Sequence, residues 1–217
     1  MKFLLTSGGI ANDSIRKALV DLLSKPIAEA RALCILTAAY AVPDGPAFAW
    51  LNAREWGEMG WKAFGILEPT ALSSTSQECW LPLLEAADVL LVGGGESFYL
   101  CYWIHQSGLA DLLPSLLQEK VYVGMSAGSM LVTPTFGEQY DGIDPPTGSD
   151  KALGLVDFAL HPHLDAEYMP TASLAHLEQW AAGVDVPAYA IDDQTAIKVI
   201  DGVVEVVSEG QWKRFVP

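Results

Sequence analysis

Cysteine is scarce in this chain of 217 residues: there are three, an odd number, and no Cys-x-x-Cys pair occurs among them. That excludes a disulfide framework and a zinc ribbon. Cys34 stands in the apolar run Leu33-Cys34-Ile35-Leu36, where a thiol behaves as a small buried hydrophobe. Positive charge is equally thin, with 12 Lys and Arg against 27 Asp and Glu and a formal net charge of −15. A nucleic-acid binder needs cations to displace counterions from phosphates, and no Lys/Arg cluster is present, so nucleic acid is excluded as a partner. No segment reaches the roughly 18 consecutive apolar residues that span a bilayer. The apolar N-terminal stretch breaks at Thr6-Ser7-Gly8-Gly9, too early for a signal peptide. A cytoplasmic protein without a membrane partner is expected.

What is present reads as one globular α/β domain over residues 1–217, since 51% of residues are hydrophobic and only 18% charged. Short apolar runs at 2–6, 32–37, 89–92 and 121–125 alternate with helical patterns at 12–23, 47–59, 77–86, 98–106 and 109–119, and 61–67 adds a further strand. Strands apolar on both faces and separated by helices predict a mostly parallel sheet flanked by helices on both faces. Residues 133–151 carry Pro, Gly and Asp without periodicity and predict a long loop. Beyond it, a strand is expected at 156–160 and a helix at 173–182. Short strands at 188–191, 195–200, 203–207 and 212–215 follow, antiparallel at the C-terminal edge, with Asp201-Gly202 as a hairpin turn.

The strongest chemical signal is Gly124-Met125-Ser126-Ala127-Gly128. It follows an apolar strand and precedes a helix start, the setting in which G-x-S-x-G forms a nucleophile elbow rather than a plain tight turn. Small residues flank the serine because the turn is strained and passes close to its neighbours. The Ala127 N–H then lies where it can stabilise an oxyanion. Gly93-Gly94-Gly95-Glu96-Ser97 follows another strand. It lacks the spacing of a phosphate loop, and it reads either as a second source of oxyanion donors or as a simple turn. Four histidines could supply a base. His105 and His176 lie in helical patterns, whereas His161-Pro162-His163-Leu164-Asp165 closes a strand, where catalytic groups of α/β sheets gather. His161 and His163 share a face, and with Asp165 and Glu167 they could alternatively ligate a metal. Glu138, Asp141, Asp144, Asp150 and the pair Asp192-Asp193 are all available to orient an imidazole. Spacing does not choose among them.

Taken in order and spacing, Val92-Gly93-Gly94-Gly95, Gly124-Met125-Ser126-Ala127-Gly128-Ser129 and Pro162-His163 resemble the dipeptidase E and cyanophycinase family of serine peptidases. The resemblance extends over nearly the whole chain, from Thr6-Ser7-Gly8-Gly9 to Ile191-Asp192-Asp193-Gln194-Thr195-Ala196. It implies a flavodoxin-like fold related to class I glutamine amidotransferases, with serine replacing cysteine at the elbow and no metal or cofactor. By position it implies Ser126 as nucleophile, His163 as base, and Ala127 with Gly94 or Gly95 as oxyanion donors. The acid it implies lies in the variable loop, where Asp141 fits best and Glu138 is the reserve. Two positions depart from the family pattern. Glu96 stands where members commonly have Asn, and residues 134–138 lack the Arg thought to meet an aspartate side chain. Lys151 and Arg54 remain as cations to pair with the acid.

These readings converge on a serine exopeptidase that hydrolyses short peptides through an acyl-enzyme on Ser126. An α/β-hydrolase-type esterase and a non-catalytic amidotransferase-like binding module are the alternatives. The seven tryptophans, among them Trp50, Trp56 and Trp61, suit a homodimer interface and core packing equally well.

Overall fold

The computed structural model describes residues 1–137 and 148–217. In chain order its strands are β1 (Lys2–Thr6), β2 (Arg31–Ile35), β3 (Ala63–Ile66), β4 (Val89–Val92), β5 (Val121–Met125), β6 (Ala159–His161), β7 (Ala188–Ile191), β8 (Thr195–Ile200), β9 (Val203–Ser208) and β10 (Trp212–Phe215). The α-helices are α1 (Asp13–Leu23), α2 (Gly45–Gly57), α3 (Pro69–Leu72), α4 (Gln77–Ala86), α5 (Ser97–Gln106), α6 (Leu109–Leu116), α7 (Ala127–Met130) and α8 (Leu174–Ala182).

The main sheet has seven strands in the order β3-β2-β4-β5-β1-β8-β9. Strands β1 to β5 pair in parallel, and β8 and β9 continue the sheet antiparallel. Side chains alternate across a strand, and here both sides are apolar. Phe3, Leu33, Leu90 and Tyr122 enter one core layer, whereas Leu4, Cys34, Leu91 and Val123 enter the other. Helices α1 and α2 cover the second layer, and α3 to α7 contribute to the first. The expected parallel sheet with helices on both faces is therefore the architecture observed.

Local chemistry explains the helix positions. Asn12 caps α1 by accepting a hydrogen bond from the Ile15 N–H, and Ile15, Ala18, Leu19, Leu22 and Leu23 form its buried stripe. Glu96, the departure noted after the triple glycine, caps α5 through hydrogen bonds from the Phe98 and Tyr99 N–H groups. A carboxylate does this job as an amide would.

The C-terminal half differs from expectation in its partition. The strand foreseen at 156–160 is β6, displaced to Ala159–His161, and it pairs in parallel with β7. With β10 antiparallel on the other side of β7, these form a separate three-stranded sheet, and only β8 and β9 extend the main one. Alternation marks a strand but not the sheet it joins. At the flanks of the predicted loop, Thr135 and Lys151 form an isolated bridge, and the Phe136 N–H donates to the Asp150 carbonyl at 2.8 Å.

Register brings chemistry to one edge. Thr6 of β1 pairs with Met125 of β5, and Val92 of β4 pairs with Gly124, so Ser7, Gly93 and Ser126 all leave the sheet at its carboxyl end. Because β8 is antiparallel to β1, with Ala196 opposite Thr6, the residues just before Thr195 reach the same edge. This is where open α/β sheets place their ligands.

Candidate active site

Ser126 has φ 51° and ψ −113°, a conformation that costs a non-glycine residue about 1–3 kcal/mol. The surroundings enforce it. The Ser126 N–H donates to the Thr6 carbonyl at 3.0 Å, while its carbonyl accepts from the Ser129 and Met130 N–H groups. Neither flanking glycine has room for a side chain. A β-carbon on Gly128 would stand 2.1 Å from the Val92 carbonyl oxygen, and one on Gly124 would stand 2.6 Å from the Ser129 backbone. The helix after the elbow, α7, is a single turn.

The His163 imidazole Nε2 lies 2.8 Å from Ser126 Oγ, and its Nδ1 lies 2.8 Å from Asp193 Oδ1. A carboxylate at Nδ1 calls for a proton there, which leaves the Nε2 lone pair to accept from the serine hydroxyl. His163 itself has φ 65° and is 8% exposed. It is the histidine brought to the elbow. His161 is buried instead against the Trp180 ring, with Nδ1 near the Pro162 carbonyl.

Three donors converge on Asp193. Ser7 Oγ donates to its Oδ1 at 2.5 Å, His163 Nδ1 reaches the same oxygen, and the Tyr168 hydroxyl donates to its Oδ2. Burial opposes charge on Asp193, but hydrogen bonds from His163, Ser7 and Tyr168 outweigh it and hold the carboxyl well below the usual carboxylate range. Burial of the Tyr168 hydroxyl, together with its hydrogen bond to ionised Asp193, raises the phenol, so it stays a donor. Ser7 also accepts from the His163 backbone N–H at 2.8 Å. Asp192, next in sequence, faces away and ties a turn by accepting from the Gln194 and Gln211 N–H groups and the Thr195 hydroxyl.

Asp141 and its reserve Glu138 lie outside the described residues, as does Asp144. Asp150 accepts from the Thr135 hydroxyl at 2.6 Å. Lys151 sits in the bridge with Thr135 and Arg54 stacks over the Trp50 ring. The Asp193 carboxylate is satisfied without either cation.

The glycine loop is pinned at both ends, as the Gly93 N–H donates to the Ile35 carbonyl and the Glu96 N–H to the Ala38 carbonyl. A β-carbon on Gly94 would lie 3.1 Å from Ser126 Cβ, which sets this backbone directly against the serine. Gly95, with φ 138°, would drive a β-carbon to 2.2 Å from the Ala38 carbonyl. In front of Ser126 opens a cleft of about 480 Å³, walled by Val42, Phe48, Met125, Tyr168 and Met169. Among the described residues no group of three or more His, Cys, Asp or Glu is arranged to hold a metal, and no helix is long and apolar enough to cross a membrane.

A strained serine, a histidine and a carboxylate are joined in series at the carboxyl edge of a helix-flanked sheet, the place where proteins of the α/β class hold their sites. Within that class, residues 3–207 match the model of peptidase family S51, and the chain belongs to this family. It is 26% identical to peptidase E of Nostoc sp. over 131 residues, covering 58% of this chain and 54% of the relative. It is also 33% identical to peptidase E of Salmonella arizonae over 115 residues, 51% of this chain and 50% of the relative. The matches thus span about half the length of these relatives. Two solved structures share the fold. A peptidase from an acI-B1 actinobacterium gives a TM-score of 0.73 at 17% identity, covering 99% of this chain and 93% of that one. A protein assigned to peptidase E from Listeria monocytogenes gives 0.71 at 18% identity, covering 96% and 98%.

Proposed function

We propose that the protein is a serine exopeptidase that hydrolyses short peptides through an acyl-enzyme on Ser126, with His163 as base and Asp193 as the acid that orients it. The observation that carries this reading is the unbroken series from Ser126 Oγ to His163 Nε2 and from His163 Nδ1 to Asp193, each link 2.8 Å. Membership of a peptidase family supports the choice of an amide substrate over an ester.

Ser126 Oγ attacks the scissile carbonyl carbon while its proton passes to His163 Nε2. Asp193, ionised and held by donors, stabilises the imidazolium that forms. Negative charge growing on the carbonyl oxygen is met by backbone N–H groups of Ala127 and of Gly94 or Gly95. Collapse of the tetrahedral intermediate breaks the C–N bond as His163 delivers its proton to the leaving amine. Water, deprotonated by the same imidazole, then hydrolyses the ester. A cleft of about 480 Å³ suits a short peptide better than a folded protein loop.

The test is a dipeptide library assayed with wild type and Ser126→Ala in parallel, with labelling by a serine-directed fluorophosphonate alongside. Turnover of dipeptides and labelling, both lost in Ser126→Ala, are the expected results. Hydrolysis of short-chain esters but no peptide would replace this reading with the esterase. Absence of both turnover and labelling would leave a binding module.

A further inference from the structure

The charge lining the cleft is one-sided. Among the described residues its charged side chains are Glu55 and Asp193, with His163 beside them, and no Lys or Arg lines it. Asp193 is spent on three donors within the protein. Glu55 is not spent: among the described residues no hydrogen bond or ion pair reaches its exposed carboxylate.

Helix α2 presents Glu55 in company. Phe48, Asn52 and Glu55, spaced four and three apart, share one stripe of the helix and all line the cleft. Asn52 is only 5% exposed. Its Nδ2 donates to the Phe48 carbonyl at 3.0 Å, and because a carbonyl accepts only, this bond fixes which end of the amide is nitrogen. The Asn52 Oδ1 is left as an acceptor that no described residue fills. It is not among the sealed, unpaired side-chain atoms, so it opens onto the cleft. A carboxylate and a free amide oxygen on neighbouring turns of one stripe, which also carries an aromatic ring, give this wall of the cleft a negative charge and acceptors, with the second Asn52 N–H as its donor.

We infer that this stripe is a cation subsite, in which Glu55 and Asn52 bind an ammonium or guanidinium group of the peptide and Phe48 packs against the carbon chain bearing it. The inference rests on the peptidase reading and names its substrate class: peptides presenting a positive group next to the scissile bond, with acidic residues rejected. Like charge close to a carboxylate is repelled, and among the described residues no Lys or Arg lines the cleft to pair with an aspartate side chain. An adjoining recess of about 390 Å³ shares Gly8, Glu55 and Met125. It brings one cation, Arg16, but also a second carboxylate, Glu58, so the field keeps its sign.

Two substrate groups supply this chemistry, the free α-amino group and a basic side chain. Leucine p-nitroanilide carries only the first and Nα-acetyl-lysine p-nitroanilide only the second. Nα-acetyl-leucine p-nitroanilide carries neither, and Nα-acetyl-aspartate p-nitroanilide carries the opposite charge. Wild type is expected to turn over at least one cationic substrate about 10- to 100-fold faster in kcat/KM than the neutral one, the loss that goes with a charge-assisted hydrogen bond. Whichever is faster identifies the source. Glu55→Gln is expected to shrink that ratio, and Glu55→Lys to turn the preference toward the aspartate substrate, a gain that misfolding cannot produce. Equal rates on cationic and neutral substrates, or a ratio indifferent to both variants, would overturn the subsite. If no substrate is cleaved, the peptidase reading fails by itself. The subsite is then judged by calorimetric binding of lysinamide against aspartate amide to wild type and Glu55→Lys, where the absence of any reversal overturns it.

Discussion

Ser7 Oγ lies 2.5 Å from Asp193 Oδ1, joining the first loop of the chain to a carboxylate 186 residues away. The same hydroxyl accepts from the His163 backbone N–H at 2.8 Å. One fully buried side chain thus fixes both the Asp193 carboxylate and the backbone of His163. Ser7→Ala removes a donor from Asp193 and strands a buried N–H. It is expected to cost about 1–3 kcal/mol of stability and to lower kcat about tenfold with little change in KM, as a positioning residue should. Denaturant unfolding and steady-state kinetics on one preparation check both. A variant with full kcat would show that the imidazole is held without Ser7.

Ser126 bears the strain of the elbow, and its replacement separates strain from chemistry. Glycine adopts φ 51° without penalty, whereas alanine does not. Ser126→Gly and Ser126→Ala should both lose about ten-thousand-fold or more in kcat, yet Ser126→Gly should melt at the higher temperature. Differential scanning calorimetry decides this. A lower melting temperature for Ser126→Gly would mean that chain entropy outweighs the relieved strain.

The elbow, the glycine loop and His163 were legible because each is a local pattern with a mechanical cause. Gly128 is required by the Val92 carbonyl 2.1 Å from where its β-carbon would be, and such a requirement leaves a mark in the sequence. Asp193 carries no mark of that kind. It adjoins Asp192, which has the same side chain and ties a turn instead, and only the packing of β7 against β6 aims one of the pair at His163. Ser7 and Tyr168 were missed for the same reason, since a hydroxyl at a strand end is common and its partner is set by tertiary contact. The strand-end position of Asp192-Asp193 was the available signal. The second sheet was missed because its strands read like any others until their partners are known.

The last two glycines of the triple glycine predict opposite outcomes. Gly94 has a φ outside the left-handed region, and a β-carbon there meets Ser126 Cβ at 3.1 Å. Gly94→Ala should therefore fold with a melting temperature near wild type while lowering kcat, because the methyl presses on Ser126. Gly95→Ala would need a β-carbon 2.2 Å from the Ala38 backbone at φ 138°. It should express poorly or melt well below wild type. Circular dichroism on the two variants tests the contrast, and a stable, fully active Gly95→Ala would contradict the loop geometry.

The carboxyl of Asp193 also ties stability to pH. Its pKa in the folded protein is depressed below the ordinary 3.8, so ionised Asp193 favours the folded state. That contribution is fully present above this ordinary value, which the unfolded chain keeps, and is lost as pH falls below it toward the folded one. The unfolding free energy of wild type should thus decline more steeply below about pH 4 than that of Asp193→Asn, which has no proton to take up there. Urea titrations at several pH values measure the difference. Parallel curves for the two proteins would show that Asp193 is not stabilised as its three donors require.

Tyr168 offers the sharpest separation between holding Asp193 and merely covering it. The residue is 66% exposed, yet its hydroxyl donates to Asp193 Oδ2 and lies 2.8 Å from His163 Nδ1. Tyr168→Phe keeps the ring over the imidazole, where the centroids are 5.5 Å apart, and deletes only the donor. Little stability should be lost, since an exposed side chain contributes little through packing. The Asp193 pKa should rise, because one of its three donors is gone. A smaller kcat is expected, by about three- to tenfold, because water reaches this exposed edge and replaces part of the hydrogen bond to the carboxylate, while KM for small peptides stays near wild type. Tyr168→Ala should lower kcat further and raise KM as well, because the ring also walls the cleft. If Tyr168→Phe equals wild type while Tyr168→Ala is impaired, the residue acts as a wall and Asp193 relies on Ser7 and His163 alone.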